Sequence, residues 1–159
     1  MKLKTLSNSI SSVSNVMLPS QANPAGNVHG GEIMKLMDTA ASVTAMRHSR
    51  RNVVTVRVDE LIFHEPIYVG NLITINSRLS FVGKTSMEIK VEVWVENMQE
   101  EKEPHIAQTA YFTFVALDEN KKPVEVPQVV PQTPDEIQLF KDGEERYLRH
   151  KNNVAASFL

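Results

Sequence analysis

Asp38 is the residue whose surroundings fit it least. It stands one turn from Ile33, Met34, Ala41 and Ser42, in a run of good helix formers, Glu32 to Met46, that is apolar nearly all round. An ionised carboxylate buried in such a helix costs several kcal/mol unless it is paired or hydrogen-bonded. Kept there as a reactive group, it has general-base or nucleophilic chemistry open to it. The other reading is structural: Lys35, Asp38, Thr39 and Ser42 form one wet stripe, and Asp38 with Lys35 is an ordinary exposed pair. Periodicity alone leaves both readings open.

Gly30-Gly31 come directly before Glu32 and present unencumbered backbone N–H groups at a helix N-terminus. Such a terminus stabilises negative charge, including the oxyanion of an acyl-transfer intermediate. A simple tight turn explains two glycines equally well. Asn23 and His29, in the same loop, need no special cause taken singly, since Asn is common in turns and a lone His is usually a surface or satisfied core residue.

The elements that position these groups can be read in order. Ser14 to Leu18 predicts a short strand, stopped by Pro19, and the stretch from Pro19 to Gly31 is dense in turn formers. The helix from Glu32 is predicted to be largely buried, with Arg47, His48, Ser49, Arg50 and Arg51 closing it and placing basic residues at its C-terminus. Alternation then predicts four strands in succession, Val53 to Phe63, Leu72 to Phe81, Met87 to Glu96 and His105 to Leu117. Turns fall at Glu65-Pro66, Val69-Gly70-Asn71, Gly83-Lys84 and Asp118 to Lys122, with a charged loop over Gln99 to Pro104. After Pro123, Pro127 and Pro131, the cap Thr133-Pro134 opens a charged helix from Asp135 to about Lys151. One helix segregated to a face of an antiparallel sheet is an α+β architecture. The expected division is a domain over 1–131 and a helical tail over 132–159 packed on it, with no internal repeat.

Composition narrows the function classes. Of 159 residues, 42% are hydrophobic and 23% charged, and the net charge is −2. That balance favours neither nucleic acid nor an anionic membrane as partner, so an anionic ligand needs a local group of Lys and Arg. With no cysteine there is no disulfide, thiolate metal site or thiol nucleophile. No apolar run approaches the roughly 20 residues of a membrane span, and no leader core follows the first lysines. The expectation is a cytoplasmic protein.

The run Leu18-Pro19 … Asn23-Pro-Ala-Gly-Asn-Val-His-Gly-Gly-Glu-Ile-Met-Lys-Leu-Met-Asp38 resembles the signature of the hotdog-fold acyl-CoA thioesterases of the YciA and brain acyl-CoA hydrolase type. Val53-Val-Thr-Val-Arg-Val-Asp59, Phe63, Pro66, Val69-Gly70, Gly83-Lys-Thr-Ser-Met87 and Ala110 to Asp118 continue the likeness, which covers about Val13 to Pro131. The resemblance implies a sheet wrapped around a central helix, hydrolysis of acyl-CoA, and Asp38 and Asn23 as the catalytic pair, contributed by two subunits of a dimer. It further implies assembly into a trimer of dimers, no cofactor beyond coenzyme A as substrate and product, and no metal. Gly31 N–H would polarise the thioester oxygen. Val56, Arg57 and Val58 would line one side of the coenzyme A groove, and Gly83, Lys84, Thr85, Ser86 and Met87 the other. Lys84 and Arg146 are candidate phosphate contacts, with Arg149 an equal candidate in the tail.

Two alternatives compete with that activity. A hydratase or dehydratase of the same fold needs a His acid/base, and His48, at the far end of the helix, is poorly placed for it. A non-catalytic acyl-CoA-binding protein has no need of a carboxylate beside the thioester, and no helix-turn-helix pattern is present.

Overall fold

The alternating segments do form long strands, but their order in the sheet differs from their order in the chain. The computed structural model describes residues 4–156; residues 1–3 and 157–159, the ends of the expected domain and tail, lie outside the described residues. Its elements are β1 (Lys4–Thr5), β2 (Ser11–Val16), α1 (Gly30–Ser49), β3 (Asn52–Phe63), β4 (Leu72–Val82), β5 (Ser86–Glu96), β6 (His105–Leu117), β7 (Val129–Val130) and α2 (Pro134–Ala156). The main sheet is antiparallel, in the order β2-β4-β5-β6-β3. Thus β3 does not pair with its successor β4. It pairs with β6 and leaves its other edge free.

β2 begins earlier than the alternation suggests, because the register Ser11↔Ser77 to Val16↔Leu72 ties it along β4. A parallel pair of β1 with β7 was not foreseen from two such short segments. These ends close over the C-terminus of α1. Lys4 Nζ donates to the His48 carbonyl at 2.6 Å, and the His48 ring bonds the Pro127 carbonyl at 2.6 Å.

One face of the sheet wraps α1. Ile33, Met37, Ala40, Ala41, Thr44 and Ala45 recur at helical spacing and are buried against Ile75, Leu79, Ile89, Val91, Phe112 and Phe114. The three alanines let the helix axis come close to the sheet. Full burial of each large aliphatic or aromatic side chain is worth about 1.5–3 kcal/mol. The expectation of a helix buried on most sides is corrected on one stripe: Lys35, Thr39, Val43 and Met46 follow at i+4, i+4 and i+3 and face outward.

The opposite face of the sheet carries α2. Phe140 and Tyr147 pack on Phe81, with ring centroids 5.0 and 5.2 Å away. Gly143 permits this approach: a Cβ there would stand 2.6 Å from Phe81 Cβ and 3.0 Å from a Glu88 carboxylate oxygen. Among the described residues, no helix is long and apolar enough to cross a membrane.

Candidate active site

Asp38 has a partner. Its half-buried carboxylate accepts a hydrogen bond from Thr55 Oγ1 on β3 at 2.6 Å. Short hydroxyl–carboxylate bonds of this kind are charge-assisted and fix the geometry of the carboxylate. The wet-stripe reading therefore fails: Lys35 and Thr39 point to solvent, whereas Asp38 is turned toward the sheet edge.

Thr55 is the site residue that sequence reasoning missed. Strict alternation puts Thr55 on the same face as Arg57 and Asp59. A register shift between Thr55 and Arg57 breaks that pattern, so that Thr55 lies opposite Phe114, which is core, while Arg57 lies opposite Thr113 on the other face. Bulges of this kind re-aim side chains and leave no mark in an alternating sequence. The available signal was a hydroxyl in an otherwise aliphatic run of edge-strand residues.

Asn23 closes its own turn. Its Oδ1 accepts from Ala25 N–H at 3.0 Å, and its backbone bonds Asn27 O and Gly26 N. The carboxamide is thereby oriented, with its NH2 as the group left for a ligand. Within one chain, the Asp38 carboxylate is bonded to Thr55 and not to Asn23.

Gly31 sits in the first turn of α1, and its N–H is occupied. It donates to His29 Nδ1 at 3.0 Å, and the His29 carbonyl accepts from Glu32 N–H at 2.9 Å. His29 is thus the N-cap, and both glycines belong to the helix rather than to the loop before it.

The expected coenzyme A residues divide into two places. β6 separates β3 from β5, and Arg57 and Ser86 meet on the α2 side of the sheet. There, with Glu88, Thr113, Tyr147 and His150, they line a cavity of about 40 Å³. Val56 and Val58 are exposed on the free edge strand, whereas the Met87 side chain is wholly buried in the core and offers a groove only its backbone. In the turn between β4 and β5, Gly83 N–H bonds Ser86 O, Thr85 O accepts from Ala116 N–H, and exposed Lys84 lies 3.3 Å from Glu125.

Arg146 is employed inside the fold. Its Nε and Nη2 donate to the two Glu88 carboxylate oxygens at 3.0 and 2.8 Å, and its guanidinium lies 3.6 Å from the Tyr111 ring centroid. Only 6% of Arg146 is exposed, so these partners account for it. Arg149 is exposed and lies 3.7 Å from Glu60. His48, which a hydratase would need, is buried and bonded to Pro127.

An antiparallel sheet wrapped around one long helix defines the hotdog fold. A family model described as the thioesterase superfamily matches residues 25–102. The cytosolic acyl coenzyme A thioester hydrolase of Rattus norvegicus is 43% identical over 148 residues, which cover 92% of this chain and 39% of the rat protein. The chain therefore spans well under half the length of that relative. An acyl-CoA hydrolase from Staphylococcus aureus, solved with butyryl coenzyme A, coenzyme A and coenzyme A disulfide, superposes with a TM-score of 0.88 at 31% identity, over 98% of this chain and 94% of that one. A hexameric acyl-CoA thioesterase superposes with a TM-score of 0.90 at 31% identity, over 98% and 99% of the two chains. The chain belongs to the acyl-CoA thioester hydrolases of the thioesterase superfamily. The Staphylococcus enzyme has also been solved with an asparagine, an aspartate or a threonine replaced by alanine. Those three fall in the same order and at the same separations along the chain as Asn23, Asp38 and Thr55.

Proposed function

We propose that this chain hydrolyses acyl-CoA to a free carboxylic acid and coenzyme A, with Asp38 as the general base. The observation that carries the reading is the Asp38 carboxylate held by Thr55 at 2.6 Å, in a set of Asn, Asp and Thr spaced as in the Staphylococcus enzyme. Water gives its proton to Asp38 as its oxygen attacks the thioester carbonyl carbon. The tetrahedral intermediate collapses with cleavage of the C–S bond, and the proton passes from Asp38 to the departing thiolate. The Asn23 NH2 orients water or the carbonyl, and Gly31 N–H donates to the oxygen that gains charge.

The active unit is a dimer formed along the free edge of β3, with Asn23 and Asp38 of one site supplied by different subunits. Support comes from the unpaired strand edge, from exposed Val56 and Val58 on it, and from the outward Val43 and Met46 of α1. An edge and apolar stripe left bare in this way call for a partner. Three such dimers form a hexamer, in keeping with the hexameric state of the thioesterase above. Val56, Val58 and the backbone of residues 83–87 contact the pantetheine, Lys84 reaches a phosphate, and the enzyme works in the cytoplasm without a cofactor.

The test is release of free thiol from acetyl-, butyryl- and palmitoyl-CoA by the purified protein. Turnover of at least one is expected, with Asp38→Asn lowering kcat by a factor of about 10² or more and leaving coenzyme A affinity and oligomer size intact. No turnover on any chain length would sink the thioesterase reading. Full activity in Asp38→Asn would remove Asp38 from the role of base.

A further inference from the structure

We propose that His29 is a displaceable occupant of the oxyanion position: its imidazole holds the Gly31 N–H until a thioester oxygen takes its place, and the ring thereby raises KM. The inference rests on the reading of Gly31 N–H as the donor to the carbonyl. Nδ1 stands 3.0 Å from Gly31 N as acceptor, so the ring proton is on Nε2. One N–H cannot serve this nitrogen and a substrate oxygen at full strength together.

The local geometry lets the ring leave without disturbing the helix. The His29 backbone is fixed on both sides: its N–H donates to Gln21 O at 2.8 Å, and its carbonyl accepts from Glu32 N–H at 2.9 Å. Rotation about the side-chain bonds alone frees Gly31, and the side chain is exposed, so it has somewhere to go. The ring also packs closely on Gly31. A Cβ there would lie 3.1 and 3.3 Å from His29 Nδ1 and Cε1, close enough to shift the capping ring by a few tenths of an ångström.

The residue type suits this role. Helix N-caps are usually Asp, Asn, Ser or Thr. An aspartate would place a permanent negative charge where the oxyanion must form. A neutral imidazole satisfies the N–H in the empty enzyme and yields to an acceptor that gains charge as the reaction proceeds.

Steady-state kinetics with the best acyl-CoA substrate test this. Exchange of one neutral hydrogen bond for another corresponds to about a two- to tenfold change in apparent affinity. His29→Ala is therefore expected to lower KM by that factor with kcat near wild type. His29→Asn, which caps Gly31 again through its side-chain oxygen, is expected to restore the wild-type KM. An unchanged or raised KM in His29→Ala overturns the proposal.

A second readout is independent of turnover. A dethia analogue of butyryl-CoA, with a methylene in place of sulfur, keeps the carbonyl and cannot be hydrolysed at that bond. In TROSY spectra of the intact protein, its binding should move the Gly31 amide and the His29 ring resonances together. If Gly31 moves while the His29 ring keeps its resonances, this inference alone falls. If Gly31 does not respond, the carbonyl lies elsewhere, and the role given to Gly31 falls with it.

Discussion

The bond between Thr55 and Asp38 gives the carboxylate one orientation out of many. Thr55 touches no reacting atom in the proposed mechanism, so it is a positioning residue, and its removal should spare binding. Loss of a hydrogen bond to a charged group is worth about 1.5–3 kcal/mol, or roughly 10- to 100-fold in kcat. Thr55→Val, which keeps the shape and deletes the hydroxyl, is expected to show that loss with KM little changed, and Thr55→Ser to recover most of it. Equal loss in the Val and Ser variants would mean that packing, not the hydroxyl, is what matters. His48 illustrates the opposite use of a titratable side chain. Burial holds its imidazole below the ordinary value of 6.5; the Pro127 carbonyl acts against that, and Lys4 adds to it. The unfolded chain therefore binds this proton more readily than the folded one, so stability rises with pH across the window between the two values. Melting temperature should fall as pH drops from about 7.5 toward 5, and His48→Gln should flatten that acid limb. An acid limb of undiminished slope in the variant would assign it to other groups.

At the scale of elements, the sheet was legible because burial on one face imposes a period of two, and β4, β5 and β6 obey it. The helix was legible from the length of its apolar run, although it begins at Gly30 and takes in the two glycines that looked like a break before it. What stayed hidden depends on contacts distant in sequence. The bulge at Thr55 to Arg57 exists only in relation to β6, and the position of β3 at the sheet edge follows from pairing, which local composition does not record. The pairing of Arg146 stayed hidden for the same reason, since its partner Glu88 lies on another element in a strand whose charges alternate regularly. That pair now makes a prediction. Removing one member of a buried ion pair strands the other at a cost of about 3–5 kcal/mol. Glu88→Leu should lower the melting temperature by roughly 10 °C in a chain of this size, whereas Glu88→Leu combined with Arg146→Met should regain most of it. A double variant as unstable as the single one would show that the pair does more than satisfy itself.

For the whole molecule, the single chain leaves its site groups apart. It presents one oriented carboxylate, one oriented carboxamide bonded elsewhere, and a free strand edge with apolar side chains beside it. The motif supplies both residues but is silent on whether they meet within a chain or between chains. Mixing two inactive proteins separates the cases. Asp38→Asn retains Asn23, and Asn23→Ala retains Asp38. If each site draws one residue from each subunit, a mixed dimer of the two variants contains one intact site and one site lacking both residues. Random pairing of equal amounts makes about half the dimers mixed, so activity should return to roughly a quarter of the wild-type value. If both residues of a site come from the same chain, no pairing regenerates an intact site, and the mixture stays as inactive as its components. Subunits must exchange for the result to count, and co-expression of the two variants with different affinity tags ensures this: the doubly tagged fraction should hold all the recovered activity. A doubly tagged fraction as inactive as either variant alone would place the site within one chain and leave the β3 edge with a purely structural role.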